Sequence, residues 1–235
     1  MARQKRMISE QRIYHIVMKG INANRIFVKD SDYSFFLKFF KESCRDYDVE
    51  MLAYCLMSNH IHLMLKFNDD NMTEMFKSFG AKYVSKYNSN HDRIGPLFNG
   101  RFYSSPINDD GYLLSVLRYI HYNPVKAGIS KSLDEYRWSS YKEYSGSNEG
   151  VADTEFIKNM YSDSDLQLLH IIDNDVLDEA FIFDSWIDGA DYSDVAGFLK
   201  ENEKRNKEEL IELLKRAKIS KSKIANFLRI DKRNI

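Results

Sequence analysis

Between Val49 and Phe67 the chain is apolar and rich in β-forming residues, and Ser58-Asn59 is its one turn-like break. Val49–Met57 and His60–Phe67 therefore read as two strands folded back through a two-residue turn, although that turn lacks the usual glycine. Side chains on a strand alternate faces, so His60 and His62 leave one side of the sheet while Ile61, Leu63 and Leu65 leave the other. Two neutral imidazoles held side by side by a rigid strand make half of a metal site. With nothing opposite it, the same pair is only a polar strand face. The choice between these readings rests on a nucleophile and a third ligand elsewhere in the chain.

The flanking sequence builds a sheet around this hairpin. Residues 12–19 alternate and form a first strand ending at Gly20. Asp30 or Ser31 caps a helix to about Tyr47, with Phe35, Phe36, Phe39 and Phe40 as one aromatic stripe facing the sheet. Thr73 caps a second helix to about Tyr87, carrying Met72, Met75, Phe76, Phe79, Tyr83 and Val84 on one side. Phe102–Ile107 is a fourth strand. A third helix opens at Asn108 or Asp109 and is ended near Pro124. The order β-α-β-β-α-β is that of a ferredoxin-like fold, class α+β: one antiparallel sheet with helices on one face, leaving the other partly open for a substrate.

Charge divides the chain further. Residues 1–150 carry 21 Lys and Arg against 17 Asp and Glu, residues 151–200 carry 2 against 12, and residues 201–235 carry 11 against 6. The expected organisation is a domain over 1–145, an acidic helical extension or linker over 146–203, and a basic helical segment over 204–235. The last segment has the pattern of a partial helix-turn-helix, with Ser220 and Asp231 as helix caps. Lys221, Lys223, Lys232 and Arg233 would then be DNA contacts; a short packing hairpin or a solvated helix face explains the same pattern. Cys44 and Cys55 sit in apolar patterns and suit a reducing compartment. No stretch approaches a membrane span and no apolar leader follows the basic N-terminus, so the expectation is a soluble cytoplasmic protein without a membrane partner.

The third helix contains the missing chemistry. Tyr119 and Asn123 stand at i and i+4, on one helix face. His60, His62 and Asn123 would supply three ligands to a divalent cation, and the mixed nitrogen and oxygen set suits Mg²⁺ or Mn²⁺. Tyr119 is then the candidate nucleophile toward a phosphorus whose non-bridging oxygen the ion polarises. Arg101, Arg118 and Lys126 flank this group as candidate phosphate contacts, and Tyr103 as a platform for an unpaired base; solvated charge is the ordinary fate of any one of these cations. Tyr119 could equally be a packing tyrosine, Asn123 a helix-terminal residue, and His15 a hydrogen-bonded sheet residue.

His60-Ile61-His62 is similar to the His-hydrophobic-His signature of HUH endonucleases. Arg118-Tyr-Ile-His-Tyr-Asn-Pro-Val-Lys-Ala-Gly128 resembles the segment bearing the single catalytic tyrosine in REP-associated tyrosine transposases and their insertion-sequence relatives. Tyr14-His15 through Gly20, Arg25-Ile-Phe27, Leu97-Phe-Asn-Gly-Arg-Phe-Tyr-Ser104 and Trp138-Ser-Ser-Tyr141 extend the resemblance in order over about residues 10–145. It implies metal ligation by His60 and His62, with Asn123 in place of a glutamine used by some relatives, and nucleophilic attack by Tyr119. It also implies cleavage of single-stranded DNA beside a hairpin, through a 5′-phosphotyrosine that rejoins without ATP, by a monomer or a homodimer. Two other classes compete: a non-catalytic host protein that binds structured DNA, and a mononuclear metal hydrolase that uses water and forms no covalent adduct.

Overall fold

The computed structural model describes residues 8–108, 110–146, 150–162 and 166, all within the compact unit Met1–Ile172. The helix-turn-helix over 204–235, its four basic residues and most of the acidic extension lie outside the described residues. In order, the chain forms β1 (Ile13–Lys19), α1 (Asp30–Asp46), β2 (Val49–Leu56), β3 (His60–Phe67), α2 (Met72–Asn90), β4 (Tyr103–Ile107) and α3 (Asp110–Lys126). Two short helices follow, α4 (Tyr141–Tyr144) and α5 (Glu155–Met160). The sheet order is β2-β3-β1-β4 with every neighbouring pair antiparallel, which is the expected ferredoxin-like α+β arrangement.

Period-two alternation sorts the strands into two faces. Tyr14, Ile16 and Met18 of β1 join Ile61, Leu63 and Leu65 of β3 in a core with Phe36 and Phe40 of α1 and Met75, Phe76, Phe79 and Tyr83 of α2. Burial of each such ring or aliphatic side chain stabilises the fold by roughly 1.5–3 kcal/mol. Only half of the aromatic stripe of α1 reaches this core. Adjacent helical residues point about 100° apart, so Phe35 and Phe39 lie at its margin, beneath the ammonium groups of Lys86 and Lys82 at 5.1 and 4.7 Å.

The helix starts differ from the expectation in detail. Lys29 occupies the cap position of α1, and Asp32, three residues on, accepts the backbone N–H groups of Val28 and Lys29, each at 2.9 Å. The other oxygen of Asp32 lies 2.9 Å from His91 Nε2 at the end of α2. Helix α2 begins at Met72 after Asn71, whose side chain donates to the Tyr47 carbonyl at 2.8 Å.

Helix α3 lies on the other face of the sheet, against the side that carries His15 and His62. The face left open in the sequence reading is thus covered by the helix that bears Tyr119. Pro124 does not stop this helix at once: α3 runs two residues past it to Lys126, without the N–H that would have met the Ile120 carbonyl. Termination falls to Gly128, at φ +66°: its N–H donates to the Val125 carbonyl and that of Ile129 to the Pro124 carbonyl, both at 2.9 Å.

The chain beyond α3 covers the outer edge of β2. Leu56 donates to Trp138 at 2.9 Å, Ser140 to Tyr54 at 3.0 Å and Asp153 to Met51 at 2.8 Å, while the Tyr136 and Tyr144 hydroxyls donate to Leu56 and Leu52, both at 2.6 Å. These bonds occupy an edge that would otherwise invite pairing with another strand.

At the opposite end of β1 the turn Gly20–Asn24 is packed beneath Ser58-Asn59. Gly20 donates to the Asn59 carbonyl at 2.8 Å, and Ile26 and Phe27 donate to Ser58 at 2.8 and 3.1 Å. Asn22 and Ala23 hold positive φ, at 52° and 56°. A β-carbon on Gly20 would come within 2.0 Å of the Asn24 carbonyl oxygen, so this close approach requires glycine. We expect Gly20→Ala to lower the unfolding free energy by about 1–3 kcal/mol, measured by urea denaturation; a loss below 0.5 kcal/mol, roughly that of a neutral surface change, would show that the turn relaxes freely.

Candidate active site

Antiparallel register brings the site together. Lys19 pairs with His60 and Val17 with His62, so His15, two residues along β1, stands diagonally beside His62 on the same face. The two rings are parallel within 15°, and His15 Nε2 lies 3.1 Å from His62 Nδ1. Tyr119 enters from α3 edge-on to both, with ring centroids 5.2 Å from His62 and 5.7 Å from His15. His60 is half-buried at the rim, perpendicular to His62 at 5.0 Å, and its Nδ1 lies 2.8 Å from the Asn59 side-chain oxygen. The strand pair and the helix tyrosine read from the sequence therefore share one site.

His121, also on α3, ties the helix to the chain beyond it and to β2. Its Nε2 lies 2.9 Å from Ser140 Oγ, which also accepts the Tyr54 N–H at 3.0 Å. A helix residue, the Trp138-Ser-Ser-Tyr141 segment and strand β2 are thereby joined at one hydroxyl. His15 was read only as a sheet residue. Its hydrogen-bonded setting agrees with that reading, but its partner is the central histidine of the site.

The predicted residues divide by accessibility. Tyr119 is 1% exposed, His62 2% and Asn123 8%, so the phenol is covered in this arrangement. Asn123 donates from Nδ2 to the Tyr119 carbonyl at 2.8 Å, which leaves Oδ1 as the oxygen able to meet a cation. Arg101 and Lys126 are exposed and Tyr103 is half-buried on β4. Arg118, a candidate phosphate contact, is instead 5% exposed with its guanidinium over the Tyr122 ring at 5.3 Å. Its position on a packed face of α3 removes it from the surface. Lys221, Lys223, Lys232 and Arg233 lie outside the described residues.

Among the described residues, no three or more His, Cys, Asp or Glu side chains are arranged so that they alone could hold a metal ion. A cation here would be held by two imidazoles and by oxygen donors, from Asn123 or from a phosphate. The donor set fits a divalent ion that accepts mixed nitrogen and oxygen ligands and keeps open positions. Burial also prepares the imidazoles: it drives the pKa of His15 down to about 3, and that of His62 well below 6.5 with help from His60, His15 and Lys19. Both rings are neutral at physiological pH, the form that binds metal. Cys44 and Cys55 are buried thiols whose pKa burial raises, and Cys55 stands opposite His62 in the pairing of β2 with β3.

Neutral burial has a consequence for stability. The unfolded chain takes up a proton at each histidine below about pH 6.5, whereas the folded state refuses it. Stability contributed by these rings is present above that pH and declines as pH falls, by up to about 1.4 kcal/mol per pH unit for each ring. We expect the melting temperature of chelator-treated protein to fall between pH 6.5 and 4.5, and His15→Gln to flatten that slope. A flat profile in the unsubstituted protein would contradict the buried neutral pair.

Residues 9–123 match the family model described as IS200-like transposase. A curated protein of Haemophilus influenzae, described as a candidate REP-associated tyrosine transposase, is 32% identical over 113 residues, covering 43% of this chain and 64% of that protein. The chain thus spans about two thirds, and slightly less, of this relative's length. Among solved structures, a REP-associated tyrosine transposase bound to a REP hairpin shares the fold with a TM-score of 0.54 at 15% identity, over 65% of this chain and 90% of that one. A candidate transposase from Deinococcus radiodurans aligns with a TM-score of 0.36 at 12% identity, over 57% of this chain and 97% of that one.

Proposed function

With residues 9–123 matching the IS200-like transposases, we propose that this chain is a single-tyrosine transposase or endonuclease that cleaves and rejoins single-stranded DNA. The observation that carries the proposal is the meeting of Tyr119, from α3, with His62 of the His-x-His strand at 5.2 Å, on the face opposite the aromatic core. His60 and His62 would hold a Mg²⁺ or Mn²⁺ ion, with Asn123 Oδ1 as third ligand. Such an ion supplies charge to a non-bridging phosphate oxygen when bound.

The chain's own residues do the rest. The Tyr119 oxygen forms a bond to phosphorus as the bond from phosphorus to the 3′ oxygen breaks, leaving a 5′-phosphotyrosine and a free 3′-hydroxyl. The phenol proton goes to solvent or to the leaving oxygen. The new phosphodiester is similar in energy to the old one, so attack by another 3′-hydroxyl reverses the step without ATP. Arg101 and Lys126 are exposed to meet flanking phosphates, and the half-buried Tyr103 would stack an unpaired base. Because Tyr119 is covered, engagement of DNA has to uncover the phenol before attack.

The structural neighbour bound to a REP hairpin supports a DNA substrate in which the cleaved single strand adjoins a hairpin. The proposed setting is the cytoplasm, with action as a monomer or homodimer. A second reading takes its support from the same burial of Tyr119: a non-catalytic descendant that binds structured DNA has no need of an accessible phenol.

Labelled single-stranded DNA carrying a hairpin, incubated with the protein and Mg²⁺ or Mn²⁺ and run on a denaturing gel, separates the two. A covalent protein–DNA band is expected, lost by at least about 100-fold in Tyr119→Phe, the low end of what removing a chemical participant costs. Cleavage that survives this substitution would exclude the tyrosine mechanism, and absence of any adduct would favour the binding protein. His60→Ala should abolish metal-dependent cleavage while gel-shift affinity for the hairpin, which rests on salt-sensitive phosphate contacts, changes little. Equal loss of both activities would show that His60 supports the fold or the DNA surface instead.

A further inference from the structure

We propose that Asn59 and His15 are positioning residues that fix the two strand histidines with Nε2 forward, one partner for each ring. The inference rests on the metal reading of the site given above. A side-chain amide oxygen only accepts hydrogen bonds. The 2.8 Å contact from Asn59 Oδ1 therefore places the proton of His60 on Nδ1 and leaves the lone pair on Nε2. The amide is oriented from its other end, where Nδ2 donates toward the Ala23 carbonyl at 3.5 Å, and from its backbone, whose carbonyl accepts the Gly20 N–H at 2.8 Å. The positive-φ residues Asn22 and Ala23 shape the turn that supplies this support.

His62 is treated the same way from the opposite side. Its Nδ1 faces His15 Nε2 at 3.1 Å, with the rings nearly parallel and both buried. A hydrogen bond between two neutral imidazoles needs one donor and one acceptor. Metal ligation through Nε2 of His62 requires that His62 donate from Nδ1 and His15 accept at Nε2. His15 then carries its own proton on Nδ1. The two strand histidines thus reach the same tautomer through unrelated partners, a turn amide for one and a neighbouring strand imidazole for the other. Partners of this kind orient metal-binding imidazoles, and their removal typically costs about 10- to 100-fold in metal affinity.

The test uses the full chain, with Mn²⁺ as the probe. Long-range ¹H–¹⁵N correlation spectra of the metal-free protein report which ring nitrogen carries the proton, and titration calorimetry reports Mn²⁺ affinity. We expect the Nδ1–H tautomer at His60 and His62 in the unsubstituted protein. Asn59→Ala should give a tautomer mixture at His60, and His15→Phe a mixture at His62, each with Mn²⁺ affinity reduced about 10- to 100-fold. His15→Gln, which keeps an acceptor oxygen near His62, should recover most of the affinity. Asn59→Ala lies on a half-buried turn and keeps the test open should His15→Phe fail to fold. Affinity within about twofold of the unsubstituted protein in folded Asn59→Ala would overturn the proposal, as would an Nε2–H tautomer at His60. Absence of Mn²⁺ binding by the unsubstituted protein would overturn the metal reading itself, and this inference with it.

Discussion

Pairing of β1 with β3 is the constraint on which the site depends. Because the register sets Val17 opposite His62, alternation puts His15 and His62 on one face and Ile16, Met18, Ile61 and Leu63 on the other. A slip of one residue would reverse every side chain of the moving strand and send either the histidines into the aromatic core or the core residues out of it. The hydrophobic core and the histidine pair are therefore two faces of one decision. The aromatic packing of α1 and α2 that stabilises the sheet also holds the imidazoles in place.

A second constraint acts on α3. Its apolar residues cover the histidine face, while His121 ties it through Ser140 to β2. That arrangement sets Tyr119 against His62 but also covers its phenol. A site built this way is ordered before any ligand arrives, and under the proposed function admission of DNA becomes part of the chemistry. The same cover would protect a tyrosine from untimely reaction with phosphate esters.

Much of the fold was legible in advance because local rules and tertiary packing agree. The hairpin of β2 and β3, the two amphipathic helices and the ferredoxin-like order all follow from periodicities of two and 3.6. The match over residues 9–123 falls on the segment that carries those periodicities. Helix starts were less legible: Lys29 takes the cap position of α1, and Asp32, which accepts its N–H, also meets His91, a residue distant in sequence. Pro124 is expected to end the helix nearby, and α3 runs only two residues past it before Gly128 ends it through its positive φ. Placement of α3 on the opposite face escaped the reading because an amphipathic pattern says that a helix has a buried side, not which side of a sheet receives it.

The candidate site divides along the same line. His60, His62, Tyr119 and Asn123 were visible because strand and helix spacing alone place the first pair on one face and the second pair on another. Their meeting, the burial of Arg118 and the roles of His15, Asn59 and His121 were decided only in three dimensions. Each depends on a residue far away in the chain: β1 for His62, the Gly20–Asn24 turn for Asn59, and Ser140 for His121. Sequence by itself determined which chemical groups each element presents, since that is a matter of local periodicity. Tertiary structure decided which partner each imidazole meets, because those partners are set by register and turn packing, not by local periodicity.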